Sequence, residues 1–169
     1  IHLMEDMCIL GRDLGAMVEL LPCEDIVREY SGQAHFVEDI QPLIPDLRKW
    51  AAEIRRLERK YPNLTTDRVT ARIIEYGGFG HPWTPLRCHA AQAYLNIRYN
   101  GEVAFPCKIH PIFKMKVTRV PIDRVYYSPE VRRIIFARDA FPFCKGCRLG
   151  CAIVASIPTK WQTLYEKYI

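Results

Sequence analysis

The clearest helical periodicity in the chain follows Asp46. Leu47, Trp50, Ile54, Leu57 and Tyr61 recur at three- and four-residue steps, with Arg55, Arg56, Arg59 and Lys60 around the other faces, the pattern of an amphipathic helix. Asp46 is placed to cap its first turn and Pro62 to end it. A second helix is predicted next, with Thr65 or Thr66 as its cap, Val69, Ile73 and Tyr76 on its buried side and Gly77-Gly78 as its stop. Nearer the start, residues 4–14 read as a helix closed by Gly15. Residues 16–21, mostly apolar between Gly15 and Pro22, read as a strand buried in a parallel sheet. Helix, glycine and buried strand make the αβ half of a βαβ unit. Residues 23–45 keep no sustained period and read as an irregular excursion.

The texture changes at the glycine- and proline-rich stretch over residues 77–85, the natural boundary. Beyond it, residues 94–99 alternate, Asn100-Gly101 is a strong two-residue hairpin signal, and residues 102–105 return before Pro106-Cys107. Ser128-Pro129 supplies a cap and a first-turn proline for a short helix through Arg138, with Val131, Ile134 and Ile135 inward. A last helix is predicted near residues 159–168, packing Trp161, Leu164, Tyr165 and Tyr168. The expected fold is an α/β fragment over residues 1–80, followed by a small α+β cysteine-rich domain with a β-hairpin over residues 81–169.

Composition changes this picture in two ways. The 169 residues, 49% hydrophobic and 25% charged, are those of a chain that fills a core. No apolar stretch nears the roughly twenty residues of a membrane span, and no charged-then-apolar segment opens the chain. A cytoplasmic setting without a membrane span is therefore expected, and a chain opening on Ile1 in mid-element is expected to continue a longer one. The net charge of +5 conceals an asymmetry. Residues 1–80 hold 10 Lys/Arg against 14 Asp/Glu, and residues 81–169 hold 14 against 5, so the halves carry −4 and +9. The basic half is compatible with a solvated face, an anionic substrate, nucleic acid or a negatively charged cofactor.

The candidate chemistry lies in the seven cysteines, five of them in the basic half. Cys88 and Cys107 flank the hairpin, whose antiparallel pairing sets Cys107 roughly opposite Tyr94 and brings both thiols to one end of the ribbon. Cys144 and Cys147 form a CxxC turn, in which Gly146 lets the backbone curl so that both thiols face one centre. Four such thiolates suit a structural zinc or an iron–sulfur cluster. Disulfides, a redox CxxC and unrelated buried thiols are the other readings. Disulfides are disfavoured without an export signal, and a redox CxxC would need a strand-to-helix junction that is not predicted. Cys151 is a fifth thiol that could replace one of the four. Cys8 and Cys23 stand alone in their segments and read as core or loop residues.

With Cys88, Gly101 and Cys107 in the order cysteine, hairpin glycine, cysteine, and a later CxxC at Cys144 and Cys147, the chain resembles the radical SAM enzymes. The likeness is to their C-terminal auxiliary-cluster domains of the SPASM and twitch type. The first half resembles the end of that family's partial β/α barrel. The gap from Gly101 to Cys107 is one residue longer than the family pattern, which fits a bulge at the second strand. The CxxxCxxC loop that would bind the catalytic cluster and S-adenosylmethionine is absent, since Cys144, Cys147 and Cys151 have their gaps in the reverse order. The barrel's N-terminal part is therefore expected to be missing, together with its [4Fe-4S] cluster and S-adenosylmethionine, and the chain to be inactive alone. Five cysteines in the second half supply one four-iron cluster, the twitch-like case.

The resemblance implies an auxiliary [4Fe-4S] cluster with Cys88, Cys107, Cys144 and Cys147 as cofactor-binding metal ligands, serving electron transfer or substrate positioning. It also implies a small-molecule or peptide substrate and a reducing electron donor such as flavodoxin or ferredoxin; catalytic residues are not assigned. The amides of Gly146 and Arg148 are candidate donors to sulfur, and Arg87, Lys108, Lys145 and Arg148 could offset a negatively charged cluster. The alternative is a zinc-binding module of a nucleic-acid-binding protein. It is the weaker one, because Tyr94 and Tyr99 are an odd number of residues apart and face opposite sides of a strand. Nucleic acid is not the expected partner. His81, His89 and His110 border the cysteines but read first as loop histidines, and Glu24 and Asp25 read equally as a solvated turn.

Overall fold

The computed structural model describes residues 1–22, 28–30, 33–35, 46–82, 86–107, 111–137, 140–159 and 165. Cys23, Glu24, Asp25, Lys108, His110, Arg138, Trp161, Leu164 and Tyr168 lie outside those residues, and with them most of the expected last helix. Helices α1 (Met4–Asp13), α2 (Leu47–Glu58) and α3 (Arg68–Glu75) precede the cysteine-rich half, as does a backbone hairpin of β1 (Arg28–Tyr30) and β2 (Gln33–His35). A three-stranded antiparallel sheet follows, with β4 (Glu102–Phe105) between β3 (Asn96–Ile97) and β5 (Phe113–Lys116). Helices α4 (Ile122–Tyr126), α5 (Pro129–Ala137) and α6 (Gly150–Ser156) complete the described elements. No described helix is long and apolar enough to cross a membrane.

The periodicity of α2 becomes packing directly. Trp50, Ala51, Ile54 and Leu57 are buried, and the Asp46 carboxylate accepts from the Arg48 and Lys49 amides at 3.0 and 3.3 Å. Helix α3 is capped differently from expectation. Thr65 Oγ1 donates to the Val18 carbonyl, and Thr66 Oγ1 donates to the Leu20 carbonyl and accepts from the Leu20 amide. With both hydroxyls engaged, Asp67 takes the cap and accepts from the Thr70 amide at 2.8 Å. Ile73 and Ile74 are buried, whereas Tyr76, expected inward, is 47% exposed at the helix end. Arg55 of α2 and Glu75 of α3 pair at 2.9 Å. An exposed pair contributes about 0–1 kcal/mol and each fully buried Ile or Leu about 1.5–3 kcal/mol, so packing holds α2 on α3.

The expected buried strand over residues 16–21 is a single parallel bridge, Val18 to Leu64. Val18 accepts from the Thr65 amide and donates to the Asn63 carbonyl, both at 2.8 Å. The partner segment between α2 and α3 is short, and the Thr66 side chain replaces the next main-chain rung. Met17 and Leu21 are 65% and 38% exposed, so this segment is buried on one side only.

Two hydrophobic cores form among the described residues. The larger runs from Met4 and Cys8 through α2 and α3 to Leu86, Leu149, Ala152, Ile153 and Ile157. It therefore spans residue 80, because α6 packs against α3. The smaller core gathers Ala91, Val103, Phe105, Val125, Val131 and Ile135. The hairpin register sets Asn96 opposite Ala104 and Ile97 opposite Val103, and Ser128 caps α5 as expected, its Oγ accepting from the Val131 amide at 3.4 Å. Strand β5 went unforeseen although residues 113–116 alternate, with Lys114 and Lys116 exposed and Phe113 and Met115 against the smaller core.

Glu5 ties α1 to the end of α2. Its carboxylate accepts from Lys60 Nζ at 2.6 Å and Tyr61 Oη at 2.9 Å, and pairs with Arg56. Lys60 first, then Arg56 and Tyr61, hold the carboxyl at about 2 against an ordinary 4.5. A carboxyl lowered on folding stabilises above its unfolded pKa and loses that contribution as pH falls through the folded one. Thermal unfolding of the wild type and Glu5→Gln should therefore differ most above about pH 4.5 and converge as pH falls to about 2. A constant difference across that window would show that the carboxylate charge is not what couples the helices.

Candidate metal centre

The six described cysteines, Cys8, Cys88, Cys107, Cys144, Cys147 and Cys151, carry no disulfide. Cys8 is fully buried in α1, and burial, then Glu5, raises its thiol pKa. It is a core residue, as expected. The other five belong to segments anchored separately.

Cys88 lies beside a tight turn in which the Gln92 and Ala93 amides donate to the His89 carbonyl at 3.0 and 2.8 Å. The His89 amide donates to Ser156 Oγ at 2.9 Å, and that buried hydroxyl donates to the Ala152 carbonyl at 2.7 Å. One hydroxyl thus fastens the Cys88 segment to α6. The Ala90 amide donates to Cys88 Sγ at 3.5 Å, a bond that gains strength when the sulfur is a thiolate. The His89 ring is engaged with Gln92, Nδ1 to Oε1 at 3.1 Å. Cys107 follows β4, the strand that carries Val103 and Phe105 into the smaller core.

The CxxC turn is docked by main-chain atoms. The Phe79 amide donates to the Cys147 carbonyl at 3.0 Å, and the Gly146 amide donates to the Phe79 carbonyl at 2.8 Å. Gly146, expected as a donor to sulfur, is engaged by that carbonyl instead. Its φ of +77° makes the predicted curl, and the Cys147 amide reaches back to the Cys144 carbonyl at 3.4 Å. Gly78 shows why the approach is so close. At φ +77°, a Cβ there would collide with the Cys147 carbonyl, within 2.7 Å of its carbon. Cys151 lies in the first turn of α6, exposed, and the Leu21 side chain packs over the neighbouring Gly150.

Four of these thiols act electrostatically on one residue, Tyr94. Its ring packs against the larger core together with Cys88 and Cys147. Its hydroxyl is sealed from solvent without a hydrogen-bond partner, an arrangement that costs about 1–3 kcal/mol. Burial raises the phenol pKa, and Cys88, Cys151, Cys107 and Cys147 raise it further, in that order. Of the four residues named from sequence, Cys88, Cys107 and Cys147 thus bear on Tyr94. Cys151, the substitute, joins them; Cys144 ends the short turn Pro142–Cys144. Tyr94 itself was missed as part of the centre. Its place opposite Cys107 in the hairpin was the available signal. Tyr99 is 98% exposed, so the two tyrosines share no stacking face.

By type alone, the donors are those of a thiolate-bound metal or cluster. The donors are soft sulfurs, an amide already addresses one of them, and a sealed hydroxyl lacks an acceptor. Among the described residues, no three His, Cys, Asp or Glu side chains close tightly enough to share one ion. Arg87, Lys145 and Arg148 are exposed beside the cysteines. No protein family, curated protein or solved structure matches this chain.

Gly15 and Gly78 separate strain from collision. Both have positive φ, but a Cβ at Gly15 would meet nothing within 4 Å. Gly15→Ala should lower stability by about 1 kcal/mol, the left-handed penalty, and Gly78→Ala by on the order of 3–5 kcal/mol, since main-chain atoms must move. Chemical denaturation measures both; equal losses would mean that the loop does not depend on this approach.

Proposed function

We propose that this chain is the C-terminal portion of a radical SAM enzyme and that its cysteines hold an auxiliary [4Fe-4S] cluster. Cys88 and Cys147, one from each cysteine pair of the sequence, pack against the same core, and that meeting of the two pairs supports the proposal. Four thiolates are the usual ligand set of such a cluster. Cys88, Cys107, Cys144 and Cys147 are the ligands that the resemblance implies, with Cys151 as the substitute for one of them. When bound, the cluster supplies one-electron exchange or an iron against which a substrate is positioned.

The chain's own residues bind and tune. The Ala90 amide supports negative charge on Cys88, and Arg87, Lys145 and Arg148 set a positive potential at the exposed side. The CxxxCxxC motif for S-adenosylmethionine is absent, so hydrogen abstraction falls outside this chain's share. A small-molecule or peptide substrate and an electron donor of the flavodoxin or ferredoxin kind complete the reading.

Iron, sulfide and zinc content, with the absorption spectrum, test this on protein purified without oxygen. About four irons with equal sulfide and a brown charge-transfer band are expected. They should be lost in Cys107→Ala and Cys147→Ala and kept in Cys8→Ala. One zinc without colour overturns the reading and turns attention to nucleic-acid binding, whereas retention in Cys144→Ala with loss in Cys151→Ala makes Cys151 the fourth ligand.

A further inference from the structure

An open groove of about 430 Å³ lies between α4 and the turn that precedes β3. Helix α4 supplies one wall. Asp123, Tyr126 and Tyr127 stand at i, i+3 and i+4 along it, so their side chains share one side. The Tyr127 amide donates to the Asp123 carbonyl at 3.0 Å, which closes the turn that sets this spacing. Tyr126 is held from behind, its ring centroid 6.3 Å from that of Phe105 in the smaller core. Tyr127 stands edge-on to Tyr126, with centroids 5.2 Å apart and ring planes at 90°. The facing wall is the turn over residues 89–95, in which the Ala91 amide donates to the Tyr94 carbonyl at 3.0 Å and Ala91 holds a positive φ of 62°. That turn contributes Gln92, Tyr94 and Leu95.

The lining has one electrostatic sign. The faces of tyrosine rings are electron-rich, and two rings set at a right angle make a corner lined by such faces, which attracts a cation. Tyr127 is 69% exposed, so the core gains little from its ring. Asp123 adds a full negative charge and is the one charged side chain among the described residues that line the groove. Glu102 of the same half is paired with Arg98, whereas Asp123 is exposed and forms no ion pair with a described residue. This is a negative pocket in a half that carries +9 on 14 basic and five acidic residues. An anion entering it would face the carboxylate; a cation would meet the carboxylate and the ring faces together. The volume is that of a small-molecule site.

We propose that the groove between α4 and residues 89–95 binds a small organic ammonium compound, seated against the Tyr126 and Tyr127 rings with Asp123 as its counter-charge. None of these groups is a cysteine, so the site is independent of the cluster reading and can be tested on protein with or without metal. Choline and 3,3-dimethylbutan-1-ol, its uncharged isostere, are titrated against wild type, Tyr127→Leu, Tyr127→Phe and Asp123→Asn, with affinity read from the tyrosine ring signals by nuclear magnetic resonance. Both substituted side chains are exposed, and surface changes of this kind leave the fold in place. Choline should bind saturably and about tenfold more tightly than the isostere. Tyr127→Leu and Asp123→Asn should each weaken it by about two- to fivefold, and Tyr127→Phe should leave it unchanged, because phenylalanine keeps the ring face. Equal binding of the two probes overturns the proposal, since the groove then selects shape and not charge. Absence of saturable choline binding, or an affinity unchanged in Tyr127→Leu or in Asp123→Asn, overturns it as well.

Discussion

The candidate centre depends on one main-chain pairing, in which Phe79 donates to the Cys147 carbonyl and accepts from the Gly146 amide. It joins the loop after α3 to the CxxC turn, residues far apart in the chain. Because the partners are backbone atoms, the approach is set by the absence of a side chain at Gly78 and by positive φ at Gly78 and Gly146. Everything downstream inherits that placement. Once Cys147 is held, α6 starts three residues later, packs on α3, and presents Ser156 to the His89 amide. The Cys88 segment is thus fixed through a chain of contacts whose first link contains no thiol.

This explains how soft, partly exposed thiols sit in defined positions on a small protein. The thiols occupy the seam between two cores, with Cys88 and Cys147 against the larger and Cys107 at the end of the strand that fills the smaller. Rigid packing lies on both sides, and the sulfurs need little support of their own. Charge follows the same division. The exposed Arg87, Lys145 and Arg148 stand on the solvent side, where they carry charge without a desolvation penalty, while the Tyr94 hydroxyl, like that of Thr70, is sealed from solvent.

Local structure was legible wherever one residue's chemistry decided it. Asp46, Gly15, Gly77-Gly78, Ser128 and Asn100-Gly101 each marked an element end that the structure bears out. Misreadings arose where a distant partner intervened. Thr65 and Thr66 were recruited by Val18 and Leu20, which moved the α3 cap to Asp67, and the same hydroxyls reduced the expected strand to one bridge. Strand β5 and α6 carried readable periods, in Phe113 and Met115 and in Leu149, Ala152, Ile153 and Ile157, but each is short and bordered by stronger signals. At the centre, spacing singled out the cysteines but could not rank Cys144 against Cys151, because the start of α6 is set by its packing on α3.

The sheet has a further consequence at its outer strand. β5 pairs with β4 along one side only, and an unpaired strand side is a template on which another chain can add. Here that strand is four residues long and carries lysine at both of its exposed positions. A copy extending the sheet would have to bring its own Lys114 and Lys116 alongside these, setting ammonium groups against one another over a ladder too short to compensate. The β5 edge is in this way guarded against growing into a continuous sheet.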